Sequence, residues 1–115
     1  MWIEPGKPVS LGDLERGVVI SSGNDASVAV AEHLAGTESS FVDVMNQLGA
    51  ELGLDNTVYR NPHGLPHPEH RTTARDLATL SVALINGHPE HYKIYKEQSF
   101  TYNGIKQYNR NSLLR

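Results

Sequence analysis

Val18-Val19-Ile20-Ser21-Ser22-Gly23-Asn24-Asp25-Ala26 joins two apolar runs across a cluster of turn-forming residues. Upstream, Ser10-Leu11-Gly12-Asp13 supplies a helix cap, and Leu11, Leu14 and Val18 recur at helical spacing, which predicts a short helix from Ser10 to about Ile20. Downstream, apolar residues fill most positions from Ala26 to Ala35 before Gly36, the pattern of a central, buried helix with a glycine at its end. Between them the hydroxyls and amide of Ser21 to Asn24 compete with the helical backbone for partners, so a tight turn belongs there. Ser22 and Asn24 alternate about Gly23 and can therefore send a hydroxyl and an amide in the same direction, with no side chain between them to block a ligand. A hydroxyl there can shuttle a proton, and an amide can read a peptide carbonyl. The competing reading is helix capping, for which Ser and Asn are both favoured.

Outward from this turn the chain remains helical. Thr37 caps a third helix with Phe41, Met45, Leu48 and Leu52 as its apolar stripe, closed by Gly53. From Leu54 to Arg71 the period fails, and Asn56, Asn61-Pro62, His63-Gly64, Pro66 and Pro68 mark a long loop in which Thr57-Val58-Tyr59 is at most a short strand. Thr73-Ala74-Arg75-Asp76 opens a fourth helix with Leu77, Leu80 and Leu84 on one face and Ala78, Val82 and Ile85 beside it, ending at Gly87. Pro89 suits the first position of a short helix ending near Lys96. The period then becomes two, and Ser99–Tyr102 and Ile105–Tyr108 flank Asn103-Gly104, a strong hairpin signal. The expected fold is mainly α with a short β-hairpin, in one domain over residues 1–115.

Composition narrows the function classes. A chain of 115 residues with 38% hydrophobic and 20% charged residues has the balance of a globular domain. A net charge of -3 with scattered Lys and Arg excludes the basic field that nucleic-acid binding needs. Cysteine is absent, so neither a disulfide framework nor a thiolate metal site can form. No window reaches the about 18 apolar residues of a membrane span, and any export signal or anchor is expected outside this stretch. His-Pro-Glu-His occurs at His67 to His70 and again at His88 to His91. The internal proline and the spacing of three differ from the helical His-Glu-x-x-His arrangement, so no metal site is expected.

Several motifs occur together in one order: Ser22-Gly23-Asn24-Asp25-Ala26, Gly53-Leu54-Asp55-Asn56-Thr57, His63-Gly64-Leu65, Thr73-Ala74-Arg75-Asp76-Leu77 and Asn109-Arg110-Asn111. In that order and spacing the chain resembles, over nearly its whole length, the low-molecular-mass penicillin-binding proteins that are D-alanyl-D-alanine carboxypeptidases of the S11 peptidase class. The resemblance implies the helical subdomain of the β-lactamase/DD-peptidase (transpeptidase-like) fold. It puts Ser22 of the SxN motif in the catalytic role of a proton-relaying hydroxyl, with Asn24 holding the substrate backbone and Arg110 orienting a carboxylate. Gly23 and His63 are implied to be peripheral to the cleft. Ser-Gly-Asn in place of Ser-Asp-Asn points away from class A β-lactamases.

Two motifs of that family are missing from these residues. No serine has a lysine three positions on, and none of Lys7, Lys93, Lys96 and Lys106 is followed by Thr-Gly. The nucleophile of an SxxK motif and the lysine of a KTG motif are therefore expected before and after this stretch of the parent, and the isolated chain is expected to be inactive. The resemblance further implies a serine-type enzyme without cofactor, placed in the periplasm or cell envelope, whose partners are peptidoglycan stem peptides and β-lactams. The rival expectation is a non-catalytic helical module that binds stem peptide or a partner protein, or associates with itself through the apolar face left bare.

Overall fold

The computed structural model describes residues 1–114. Its elements run α1 Leu11–Ser21, α2 Asn24–Ala35, α3 Glu38–Glu51, α4 Ala74–Gly87 and α5 Pro89–Tyr92, the last continued by a 3₁₀ turn at Lys93–Lys96. The strands β1 Ser99–Tyr102 and β2 Ile105–Tyr108 follow, then a final 3₁₀ turn at Ser112–Leu114. The expected mainly helical architecture with one hairpin is what the chain adopts.

Three of the helices start on side-chain caps that the sequence announces. Ser10 accepts from the Asp13 N–H, Thr37 from the Ser40 N–H and Thr73 from the Asp76 N–H, each satisfying one of the donors a helix start leaves free. Pro89 occupies the first turn of α5, where its missing N–H has no consequence. β1 and β2 pair antiparallel from Ser99↔Tyr108 to Tyr102↔Ile105. Asn103 (φ 51) and Gly104 (φ 77) both take the left-handed conformation that a two-residue hairpin turn demands.

The core lies where α1 meets the C-terminal ribbon. Ile20 is wholly buried against Ile94 and Phe100, with Met1, Val19 and Tyr102 packed around them. α1 thus touches the 3₁₀ turn and both strands on one side and α2 on the other, while α3 packs on α2. A second, smaller knot fastens the long loop. Val58 and Arg71 exchange backbone hydrogen bonds of 2.8 and 3.0 Å, and Asn46 of α3 grips both backbone groups of Tyr59 at 2.8 and 2.9 Å.

Burial departs from the expected pattern in three helices. α2 buries only Ala26, Ser27 and Ala31, and Leu34 is 59% exposed, because α1 and α3 cover only part of its surface. In α3 the fully buried residues are Val42 and Gly49, while Phe41, Met45 and Leu52 of the expected stripe are half-buried and Leu48 is exposed. The bare Gly49 backbone admits Leu54 and Tyr59 beneath the helix end, which turns Leu48 outward. α4 forms as expected, yet Leu77, Val82 and Ile85 are exposed and Asp76 is its one buried residue, since the helix makes close contact chiefly with α5.

Candidate active site

The turn between α1 and α2 is shorter than the sequence suggests. α1 runs on through Ser21 and α2 begins at Asn24, leaving Ser22 and Gly23 alone to reverse the chain. Such a reversal needs a left-handed residue. Ser22 supplies it, at φ 55 and ψ 43, a conformation that costs a β-carbon-bearing residue roughly 1–2 kcal/mol. The turn is held by one acceptor, the Gly17 carbonyl, which receives the Ser21 hydroxyl at 2.9 Å, the Gly23 N–H at 2.9 Å and the Ser22 N–H. A β-carbon at Gly17 would come within 2.3 Å of the Met1 sulfur and 3.2 Å of the Ala26 methyl, so glycine lets the two helices approach there.

Ser22 closes α1 through its backbone N–H alone, and neither its hydroxyl nor the Asn24 amide caps a helix. The N-cap of α2 is Gly23, which has no side chain to offer, and among the described residues neither the Ser22 hydroxyl nor the Asn24 amide engages a partner. Both side chains are exposed, whereas Gly23 between them is buried. Capping by these two side chains is therefore absent, and two polar groups stand one residue apart without a partner among the described residues.

Arg110 comes to this turn from across the molecule. Its backbone N–H donates to the Ile20 carbonyl at 3.0 Å and its Nε to the Ser21 carbonyl at 3.4 Å, meeting two acceptors that the end of α1 leaves free. The terminal nitrogens of the guanidinium have no partner among the described residues, so the outer fork can take a carboxylate. Asn109 sets this reach: its buried amide donates to the Tyr95 and Glu97 carbonyls at 3.2 and 2.9 Å, and its Oδ1 accepts from the Asn111 N–H at 2.8 Å.

His63 is placed elsewhere. Its Nδ1 accepts from the Leu65 N–H at 3.2 Å, and its Nε2 lies 3.8 Å from Glu38 at the start of α3. That start adjoins the far end of α2, about 18 Å along the helix from Asn24 at 1.5 Å per residue. The structure therefore brings Ser22, Gly23, Asn24 and Arg110 together and leaves His63 with the loop.

Asp25 was passed over in the sequence, although it directly follows the motif. Its carboxylate accepts from the Ile3 N–H at 3.0 Å, the Ala26 N–H at 2.9 Å and the Met1 amino group at 3.2 Å, fastening the first three residues beside the turn. Burial pushes its pKa up, but the Ile3, Met1 and Ala26 donors and the charge of the amino group outweigh that and hold it below the ordinary value. The available signal was an acid in the first turn of a helix, where the backbone dipoles favour negative charge.

An exposed serine and amide on an interhelical turn, with an arginine fork beside them, fit the penicillin-recognising peptidases, and the solved structures agree. Penicillin-binding protein 5 from Haemophilus influenzae matches with a TM-score of 0.96 at 48% identity, over 99% of this chain and 33% of that one. Penicillin-binding protein D2 from Listeria monocytogenes, solved in its cefotaxime-bound form, matches with a TM-score of 0.82 at 30% identity, over 92% of this chain and 44% of that one. Among curated proteins, the D-alanyl-D-alanine carboxypeptidase DacC of Escherichia coli (strain K12) is 50% identical over 114 residues, which are 99% of this chain and 28% of that protein. The family model for peptidase S11, D-alanyl-D-alanine carboxypeptidase, matches residues 1–115. The chain belongs to the peptidase S11 family of D-alanyl-D-alanine carboxypeptidases, and it spans less than a third of the length of the relative just named.

Proposed function

We propose that residues 1–115 form a single helical subdomain supplying one wall of the cleft of a serine-type carboxypeptidase, which removes the terminal D-alanine from peptidoglycan stem peptides. The observation that carries this reading is the pair of unengaged side chains, Ser22 and Asn24, on a turn that Gly17, Asp25 and Arg110 hold rigid. In the reaction, a serine hydroxyl of the parent attacks the carbonyl of the penultimate residue. An ester forms to the enzyme and the peptide C–N bond breaks. The hydroxyl proton passes through Ser22 to the departing amine, and water then hydrolyses the ester. Asn24 holds the peptide backbone through its amide, and the fork of Arg110 orients a substrate carboxylate. Preorganisation of this kind carries much of such a rate, because the groups need not reorder as charge develops. No organic cofactor or metal enters the scheme. β-Lactams would acylate the same nucleophile, and the cell envelope is where the substrate lies.

These residues contain neither Ser-x-x-Lys nor Lys-Thr-Gly, so the 115-residue polypeptide alone should form no penicillin adduct by intact-mass spectrometry. The positive arm is a chimera in which the chain replaces its counterpart within the Escherichia coli relative. The chimera should acylate with penicillin and release D-alanine, and Ser22→Ala should lower turnover by about 10²-fold while leaving the fold intact. A penicillin adduct on the isolated chain, or full turnover of the Ser22→Ala chimera, contradicts the reading.

A further inference from the structure

Arg110 borders a second feature that the scheme above does not use. A groove of 640 Å³ runs from Ser21 and Arg110 along β2, with Trp2 on its rim. Its charge is one-sided: Lys106 and Arg110 line it and no Asp or Glu does, in a chain where 13 acids outnumber 10 Lys and Arg. Neither cation has a carboxylate within ion-pair distance among the described residues. Elsewhere Arg16, Arg60 and Lys93 are all paired with glutamates. The Lys106 ammonium sits 5.2 Å from the centre of the Tyr108 ring, which restrains the long side chain at little desolvation cost. Trp2 is 74% exposed and Tyr108 54%, so the groove also offers flat, rigid apolar surface beside its two cations. The backbone at Trp2 is in the left-handed region at φ 62. Met1 and Ile3 on either side of it are tied to Asp25, so the indole is carried on the clamp that fixes the Ser22 turn.

We propose that this groove is a subsite for an acidic, extended peptide, in which Lys106 reads a free carboxylate lying upstream of the D-Ala-D-Ala terminus. The proposal rests on the cleft reading above and adds a specificity to it. On this proposal the peptide runs from Ser22 past Arg110 and on along β2. β2 then offers about 3.3 Å per residue of parallel track, so Lys106 meets a group a few residues from the scissile bond. An amidated peptide of the same length keeps the aromatic contact but loses the ion pair. The subsite therefore separates carboxylate-bearing from amidated stem peptides.

Trp2 is the one tryptophan of the chain, which makes its fluorescence a direct probe. The 115-residue chain would be titrated with two D-Ala-D-Ala-terminated pentapeptides, one with free side carboxylates and one with those groups amidated. The acidic peptide should shift the emission with a Kd about threefold to fivefold lower than the amidated one, the scale of an exposed ion pair. Lys106→Gln should erase the difference and Lys106→Arg restore it. Equal affinities for the two peptides, an unchanged preference in Lys106→Gln, or no change in emission from a chain whose helical circular dichroism is intact would each overturn the subsite. The chimera separates this from the cleft reading: D-alanine released equally from both peptides rejects the subsite alone, whereas no release from either rejects the cleft reading. Release from the acidic peptide with a preference of the same threefold to fivefold supports both.

Discussion

The start of α4 and the start of α2 are made of similar residues and use them in opposite ways. At α4, Thr73 caps the Asp76 N–H at 3.1 Å, and the buried Asp76 carboxylate accepts from the Asn56 N–H at 2.9 Å and the Thr57 hydroxyl at 2.7 Å. Thr57 also meets Thr72, at 2.8 Å. Each of these polar groups is consumed by the fold. At α2 the capping position is a glycine, Ser22 sits at φ 55, and neither the Ser22 hydroxyl nor the Asn24 amide bonds within the described residues. One helix start uses its polar side chains within the fold, and the other leaves two of them without a partner among the described residues.

The largest effect is expected where polar groups are consumed. Asp76→Ala removes a carboxylate that is only 5% exposed and leaves the Asn56 N–H and Thr57 hydroxyl without their acceptor, and should cost about 2–3 kcal/mol of unfolding free energy in urea denaturation. A loss under about 1 kcal/mol would mean that the loop over residues 54–57 is not tied down by this carboxylate, and the contrast between the two helix starts would weaken.

That contrast also sorts what could be read in the sequence. Helix starts and the hairpin were legible because they depend on local chemistry: Ser10, Thr37 and Thr73 cap within three residues, and Asn103-Gly104 needs only its own backbone freedom. Which face of each helix is buried was less legible, since it depends on neighbours that periodicity does not name. Leu77, Val82 and Ile85 read as a core face and are exposed, because no described element covers that side of α4. At the site, Ser22 and Asn24 were visible as a motif, but that neither side chain caps a helix depends on where the turn falls, which the motif does not state. Arg110 was visible as part of Asn109-Arg110-Asn111, while its bonds to Ile20 and Ser21 span about ninety residues and leave no local trace. His63 was visible in the same way, as part of His63-Gly64-Leu65. Its ring contacts, the Leu65 N–H and Glu38 of α3, are not stated by that motif. Asp76 could have been anticipated as half of a Thr-x-x-Asp capping pattern, but not its cross-loop role.

A smaller effect, of reversed sign, is expected at the other helix start. Ser22→Gly removes the β-carbon that disfavours the left-handed backbone, and should raise stability by up to about 1 kcal/mol. In the chimera the same change should abolish the proton relay and lower turnover. A variant that becomes both more stable and less active ties the strain at Ser22 to function, whereas a destabilised Ser22→Gly would show that the hydroxyl supports the fold after all.

Asp25 adds a pH-dependent term on the same side of the comparison. Its folded-state pKa is held below that of an ordinary aspartate, so the unfolded chain binds a proton more readily than the folded one. The stabilisation is complete above that value and is lost as pH falls through the lowered folded pKa. Denaturation of the wild type should therefore show an acid limb below about pH 4 that is shallower in Asp25→Asn. Limbs of equal slope would mean that the clamp on Met1 and Ile3 does not depend on charge.

The smallest effect on stability is expected at Asn24, and it bears most directly on the comparison. Its amide is exposed and contacts nothing among the described residues, so Asn24→Ala should stay within about 0.5 kcal/mol of wild type, as an uninvolved surface position does. A capping asparagine would behave differently, since replacing a cap with alanine removes about 1 kcal/mol. Thr73→Ala provides that internal reference within the same protein. If Asn24→Ala lowers the urea midpoint as much as Thr73→Ala does, Asn24 is structural and the functional reading of the turn loses one of its two groups. If the midpoint holds while the chimera loses affinity for stem peptide, the amide serves substrate alone. Stability and affinity measured on this one substitution thus separate a side chain used by the fold from one held outside it.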